Sequence, residues 1–177
     1  MRFSEKSLTG CGVAMSFLLL AAPVFAQPSS QKPSAKPSAA RQGGCLCGAV
    51  RYEISSDPEM TGVCYCTSCR RLSGSGHAFH ALLPESALVF TGQVSTYEWT
   101  ADSGGRVSSS FCPVCGSPLF GKSTAMPGVV TLRVASLDDP APIKPQMAVY
   151  AKRLLPWDHL DPALPAFPEM PPAPAAG

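Results

Sequence analysis

Seven cysteines in three short groups carry the chemistry available to this chain: Cys45-Leu46-Cys47, Cys64-Tyr65-Cys66-Thr67-Ser68-Cys69 and Cys112-Pro113-Val114-Cys115. Thiols one or two residues apart could close only a very small, strained disulfide ring. A short turn does bring two sulfurs to the separation that a tetrahedral Zn²⁺ requires, so such pairs read as metal ligands. The Cys112–Cys115 knuckle is the strongest piece, because Gly116 can take a backbone shape that turns amide groups toward the thiolates. The simplest division of seven is four plus three, a closed site and an open one. If Cys45 and Cys47 lie on a strand, their side chains share one face of the pleat and supply half a tetrahedron. The knuckle supplies the other half and staples the start of the domain to its middle. Four thiolates saturate Zn²⁺ and make that site structural.

Cys64, Cys66 and Cys69 offer three ligands on one short turn. With a vacant fourth position this is the arrangement of a catalytic zinc, where water or a substrate thiolate binds. A zinc-bound thiol loses its proton readily, and a thiolate is the nucleophile that adds to an aldehyde carbon. The alternative is that His77 or His80 fills the fourth place and closes this site as well. The two histidines stand three apart on an expected strand and face opposite sides, so at most one reaches the metal.

The elements that must hold these groups read mainly as β. Val50, Tyr52 and Ile54 alternate with Arg51 and Glu53; His77, Phe79, Ala81 and Leu83 alternate with Ala78, His80 and Leu82; Val130, Leu132 and Val134 alternate with Thr131 and Arg133. Further strands are expected over 87–90, 93–99, 106–111 and 146–150, broken by Gly92, Gly104-Gly105 and Pro127-Gly128. One turn of helix is expected over Thr67–Leu72, with Thr67 as its cap. The class is mainly β, a small zinc-stapled domain of antiparallel sheets joined by short turns.

The ends read differently from this middle. Residues 1–26 have Arg2 and Lys6 before an apolar run and end in Val24-Phe25-Ala26, the order of a secretory signal peptide. Leu8-Thr9-Gly10-Cys11 has the look of a lipoprotein box, but the apolar stretch follows the cysteine where such a box needs it in front. Residues 27–41 are a linker of Pro, Ser, Ala, Gln and Lys with nothing to bury, and 158–177 form a Pro/Ala-rich tail, an extended strap or a loose end. The folded domain spans 42–157. Localisation is expected to be exported and periplasmic, or cytoplasmic if translation starts nearer the domain. No membrane span is expected once the leader is removed. Of 14 basic and 12 acidic residues, the leader contains Arg2, Lys6 and Glu5, which leaves a net charge of +1 and no basic run, so nucleic acid is not an expected partner.

The run Gly43-Gly44-Cys45-Leu46-Cys47-Gly48-Ala49-Val50-Arg51-Tyr52 is followed by Cys64-x-Cys66-x-x-Cys69-Arg70 and Ser73-Gly74-Ser75. With Phe111-Cys112-Pro113-Val114-Cys115-Gly116-Ser117-Pro118-Leu119-Phe120, these motifs resemble the glutathione-dependent formaldehyde-activating enzyme (GFA) family, which includes centromere protein V. The resemblance covers residues 41–157. It implies a small β fold with two zinc ions, a structural one at Cys45, Cys47, Cys112 and Cys115 and a second one at Cys64, Cys66 and Cys69. It also implies a carbon-sulfur lyase that reversibly condenses formaldehyde with glutathione to S-(hydroxymethyl)glutathione, with a small thiol and an aldehyde as partners. The rival is a non-catalytic zinc-binding module for a protein or small-thiol partner. An exported protein meets little glutathione, so either translation starts nearer the domain, or the substrate is a different thiol or aldehyde, such as a glutathione-like thiol, or the protein binds without turnover.

Among the remaining residues, Arg70 and Arg71 either bind substrate carboxylates or form a solvated turn. Asp138 and Asp139 before Pro140 read as the end of a strand. Tyr150, Arg153 and Trp157 sit near the end of the domain, Trp157 as an anchor for the last segment.

Overall fold

The structure is a computed structural model that describes residues 40–101 and 104–171. The signal segment, nearly all of the linker and the last six residues lie outside the described residues.

Among the described residues ten strands make two sheets. The smaller contains β1 (Arg41–Gly44), β2 (Arg51–Ile54) and β5 (Leu88–Thr91), in that order. The larger runs β10 (Met147–Val149), β3 (Met60–Cys64), β4 (Ala78–Pro84), β9 (Val129–Arg133), β8 (Pro118–Ser123), β7 (Arg106–Phe111) and β6 (Ser95–Thr100). An α-helix, α1 (Thr67–Ser73), follows β3. The alternation read from sequence has its expected effect: in β2 the side chains of Tyr52 and Ile54 are buried while Arg51 and Glu53 are exposed. Ala81 and Leu83 of β4 and Val130 and Leu132 of β9 meet in the core with Val50, Ile54, Leu119 and Val134. Each such side chain contributes roughly 1.5–3 kcal/mol by leaving water.

The mainly-β class holds, but the sheet is mixed. Among the described strands every pairing is antiparallel except that of β10 with β3, which is parallel, with Val149 opposite Cys64. A parallel neighbour needs a crossover, and the 3-10 turn Val134–Ser136 and the loop after it provide one. The arriving chain is fixed by polar groups: Thr61 donates its N–H to the Gln146 side chain at 2.9 Å and its hydroxyl to the Lys144 carbonyl at 2.7 Å. Strands β1, β3 and β8 were not expected from periodicity. Gly62 interrupts β3, and β8 opens on Pro118 and contains Gly121, which weakens the local strand signal.

Beyond the last strand, Ala148 forms a parallel bridge with Ala166. Its N–H donates to the Pro165 carbonyl and its carbonyl accepts from Phe167 N–H, both at 2.8 Å. The chain after Trp157 thus returns as a strap along the outer edge of β10. Trp157 is not its anchor, being 71% exposed. The strap is held instead by Tyr65, whose hydroxyl donates to the His159 carbonyl at 2.8 Å, and by Asp158, 2.9 Å from His77 Nδ1.

Candidate metal centres

The four-cysteine cluster is built by two turns. Cys45 ends the stretch after β1, and Gly48 N–H closes a turn on the Cys45 carbonyl at 3.1 Å; Gly116 N–H does the same to Cys112 at 2.9 Å. Both glycines have positive φ, 78° and 75°, a conformation other residues adopt at a cost. The two cysteines of the first pair therefore sit on a turn and not on a strand, which corrects the pleat argument: a tight turn brings residues i and i+2 together as well as a pleat does. In each knuckle a main-chain N–H points at a sulfur, Val50 to Cys45 at 3.2 Å and Val114 to Cys112 at 3.4 Å. The Sγ atoms of Cys45, Cys47, Cys112 and Cys115 all lie within 4.8 Å of one another. Cys45 and Cys112 are buried, the latter completely. The Ser117 hydroxyl and main chain hold the Cys115 thiol down at about 5, and neighbouring thiols push Cys47 up to about 12 although the Ala49 N–H pulls the other way. Against its desolvation, Cys45 is also lowered by the Val50 N–H and the neighbouring thiols of Cys47 and Cys112, so the cluster favours negative charge on Cys45 and Cys115 and disfavours it on Cys47.

The second cluster lies at the junction of β3 and α1. Cys64 is the last residue of β3, Cys66 precedes α1 and Cys69 lies within it, with all three Sγ atoms inside 4.8 Å. The helix cap expected at Thr67 is one residue earlier: Cys66 has extended backbone angles and its Sγ accepts the Cys69 N–H at 3.2 Å. A sulfur does here what a serine or aspartate oxygen does at most helix starts. Hydrogen bonds from the Cys64 and Cys69 thiols, aided by the main chain of Cys69 and Ser68, hold Cys66 at about 2 against its burial. The same sharing, with Cys66 as its largest cause, raises Cys64 to about 12; Cys64 and Cys66 drive Cys69 far up. Among the described cysteines all seven are free thiols, and the 3.5 Å between the sulfurs of Cys45 and Cys47 is well beyond a disulfide bond length.

Of the two histidines, His80 reaches the second cluster, with Nε2 3.4 Å from Cys69 Sγ. It is not one of the mutually close ligands, which are the three cysteines. Burial, then the charge of Arg133, lowers His80 to about 3, so the ring is neutral. His77 turns to the other side, against Tyr65 with ring centroids 5.3 Å apart. Arg70 and Arg71 sit in the last turn of α1, and Asp138 is paired with Arg51.

Two residues near this cluster carried no distinct signal in the sequence. Arg133 is the last residue of β9, directly opposite His80 in the β4 register, and its Nη1 lies 3.2 Å from His80 Nε2. It was visible only as the polar half of an alternating strand. Tyr150 follows β10 and, among the described residues, is the only non-glycine with positive φ, 57°. Burial, together with the charges of Cys64 and Cys66, raises its phenol. A residue held in that conformation signals local strain of the kind found at functional sites; periodicity gives no sign of it.

The sequence profile of the family described as GFA, glutathione-dependent formaldehyde-activating enzyme, matches residues 40–153. A curated protein of Halomonas elongata that bears the same family name is 31% identical over 110 residues, covering 59% of this chain and 70% of the relative. Among solved structures, a crystal structure of a Rhodobacter sphaeroides protein is 23% identical, covers 59% of this chain and 91% of that one, and has a TM-score of 0.44. The profile spans both cysteine clusters and every strand between them, and the chain therefore belongs to the glutathione-dependent formaldehyde-activating enzyme family.

Proposed function

We propose that the Cys64–Cys66–Cys69 cluster holds a Zn²⁺ ion at which a small thiol adds reversibly to an aldehyde of the formaldehyde type, and that the four-cysteine cluster holds a second, structural Zn²⁺. The observation that carries this reading is the difference in donor sets. One cluster gathers four sulfurs, the other only three, with Cys66 and Cys69 half-buried. Both sets are thiol-only, which suits zinc and excludes hard, oxygen-seeking cations. When bound at the three-cysteine cluster, Zn²⁺ supplies the Lewis acidity that keeps a substrate thiol deprotonated near neutral pH.

The protein's own groups do the rest. The Cys69 N–H directed at Cys66 Sγ fixes that ligand and favours its thiolate form. His80, neutral and lodged against Cys69, closes that side of the cluster without adding charge. In the forward direction the thiol loses its proton, a carbon-sulfur bond forms at the aldehyde carbon, the carbonyl π electrons move to oxygen, and that oxygen takes a proton. Tyr150, kept protonated by burial and by the nearby thiolates, is the candidate donor. The reverse breaks the carbon-sulfur bond and releases the aldehyde, the direction of a lyase.

Metal content and rate, measured together, test this reading. The protein should bind about two zinc ions per chain and form S-(hydroxymethyl)glutathione, or the adduct of a glutathione-like thiol, faster than the spontaneous reaction. Bound metal without rate enhancement would overturn the lyase reading and favour a zinc-binding module.

A further inference from the structure

Arg133 is the only charged side chain buried among the described residues, at 9% exposure. Among those residues no carboxylate reaches it; its recorded side-chain partner is His80. A guanidinium out of water without an anion is costly, and structures keep one only where something offsets it. A guanidinium can only donate. Its bond to His80 therefore makes Nε2 the acceptor and leaves the ring proton on Nδ1. That Nδ1 is itself buried and has no hydrogen-bond partner. The guanidinium thus lacks an anion, and the N–H at the other ring nitrogen of His80 lacks an acceptor.

The need arises beside the three-cysteine cluster. Contacts of 3.2 Å from Arg133 to His80 and 3.4 Å from His80 to Cys69 Sγ put the guanidinium within the length of a small molecule from the sulfurs. The β3–β4–β9 register places Gly62, His80 and Arg133 in one row on one sheet face, two residues along from Cys64 and Ala78. Gly62 contributes no side chain to that row. A planar, permanently charged fork matches a carboxylate better than any other common anion of a small thiol.

We propose that Arg133, oriented by His80, receives the carboxylate of a thiol whose sulfur goes to the Cys64–Cys66–Cys69 cluster, so that the substrate is a mercapto-carboxylate and not a neutral thiol. This rests on the reading of that cluster as the thiol-binding site. Arg133 sets specificity; His80 is a positioning residue.

The test uses the whole protein loaded with Co²⁺, whose thiolate charge-transfer absorption changes as an added thiol joins the cluster. The probes are 3-mercaptopropionate and its methyl ester, alike except for the charge. The acid should bind at least about tenfold more tightly than the ester, the ratio expected of one well-placed charged hydrogen bond. Arg133→Met should bring the two affinities together, and Arg133→Lys should keep part of the gap. Propionate should compete with the acid and leave the ester's binding curve in place, a measurement that needs no variant and stands if Arg133→Met does not fold. Equal affinities of acid and ester in the unaltered protein would overturn the inference while leaving thiol binding intact. So would an Arg133→Met protein that binds Co²⁺ more weakly yet keeps the preference, since Arg133 would then only balance the charge of the metal site. Failure of both thiols to alter the spectrum would overturn the reading of the cluster itself, and this inference with it.

Discussion

The two cysteine clusters gather the same atoms in opposite ways. The four-cysteine cluster joins turns whose cysteines Cys47 and Cys112 stand 65 residues apart, and it is contiguous with the core through Cys45 and Cys112. The three-cysteine cluster is local, confined to residues 64–69 at a strand end and a helix start. A metal that closes a long loop restricts the unfolded chain as well as binding the folded one, whereas a metal held by neighbours in sequence constrains little beyond them. The first cluster should therefore govern folding, and the second is free to govern chemistry.

The largest effect that separates them is loss of a staple. Cys112→Ser should remove the cooperative thermal transition altogether, since structural zinc contributes on the order of 10 kcal/mol in small domains, and circular dichroism would show it. Cys66→Ser should abolish adduct formation and leave that transition in place with its midpoint little changed, because a serine oxygen caps the helix at least as well as the sulfur does. Equal unfolding in both variants would erase the distinction. Next comes an alkaline titration of the core beneath the first cluster. Tyr52, hydrogen-bonded to Ser136 at 2.7 Å, is raised to about 12 by burial from an ordinary value of 10. Its contribution is complete below pH 10 and is lost as pH rises from 10 through 12, because the unfolded chain gives up that proton first. Denaturant midpoints measured over that window should fall less steeply for Tyr52→Phe than for the unaltered protein. The smallest effect is expected near the second cluster, where Asp158 ties the strap to His77. Asp158→Ala should cost about 1 kcal/mol or less and show as faster proteolysis within 158–171, with little change in the thermal midpoint.

Much of the site was legible because ligand chemistry depends on residue type and spacing, and both are explicit in the chain. The grouping of Cys45 and Cys47 with Cys112 and Cys115, and of Cys64 with Cys66 and Cys69, needed no tertiary information. The local geometry was harder to read. A Cys-x-Cys spacing fits a pleat and a turn equally, and only the φ of Gly48 decides between them. Threonine is an ordinary cap and cysteine is not, so residue type points to Thr67 although the Cys66 sulfur does the capping. The parallel placement of β10 depends on side-chain contacts between Thr61 and residues 144–146, and such pairings between distant residues leave no periodic trace. Arg133 gave no sign for the same reason: in sequence it ends an alternating strand, and its character comes entirely from facing His80.

The strap has a consequence for how the protein behaves in a crowded solution. The family profile ends at residue 153, yet the main-chain groups of Ala148 and Ala151 are satisfied by Pro165 and Phe167. A chain shortened to the family's boundary would keep both clusters and leave these groups bare along β10. Bare strand edges recruit one another. The proline-rich segment beyond the family's boundary would then be what keeps one molecule from adding its sheet to the next.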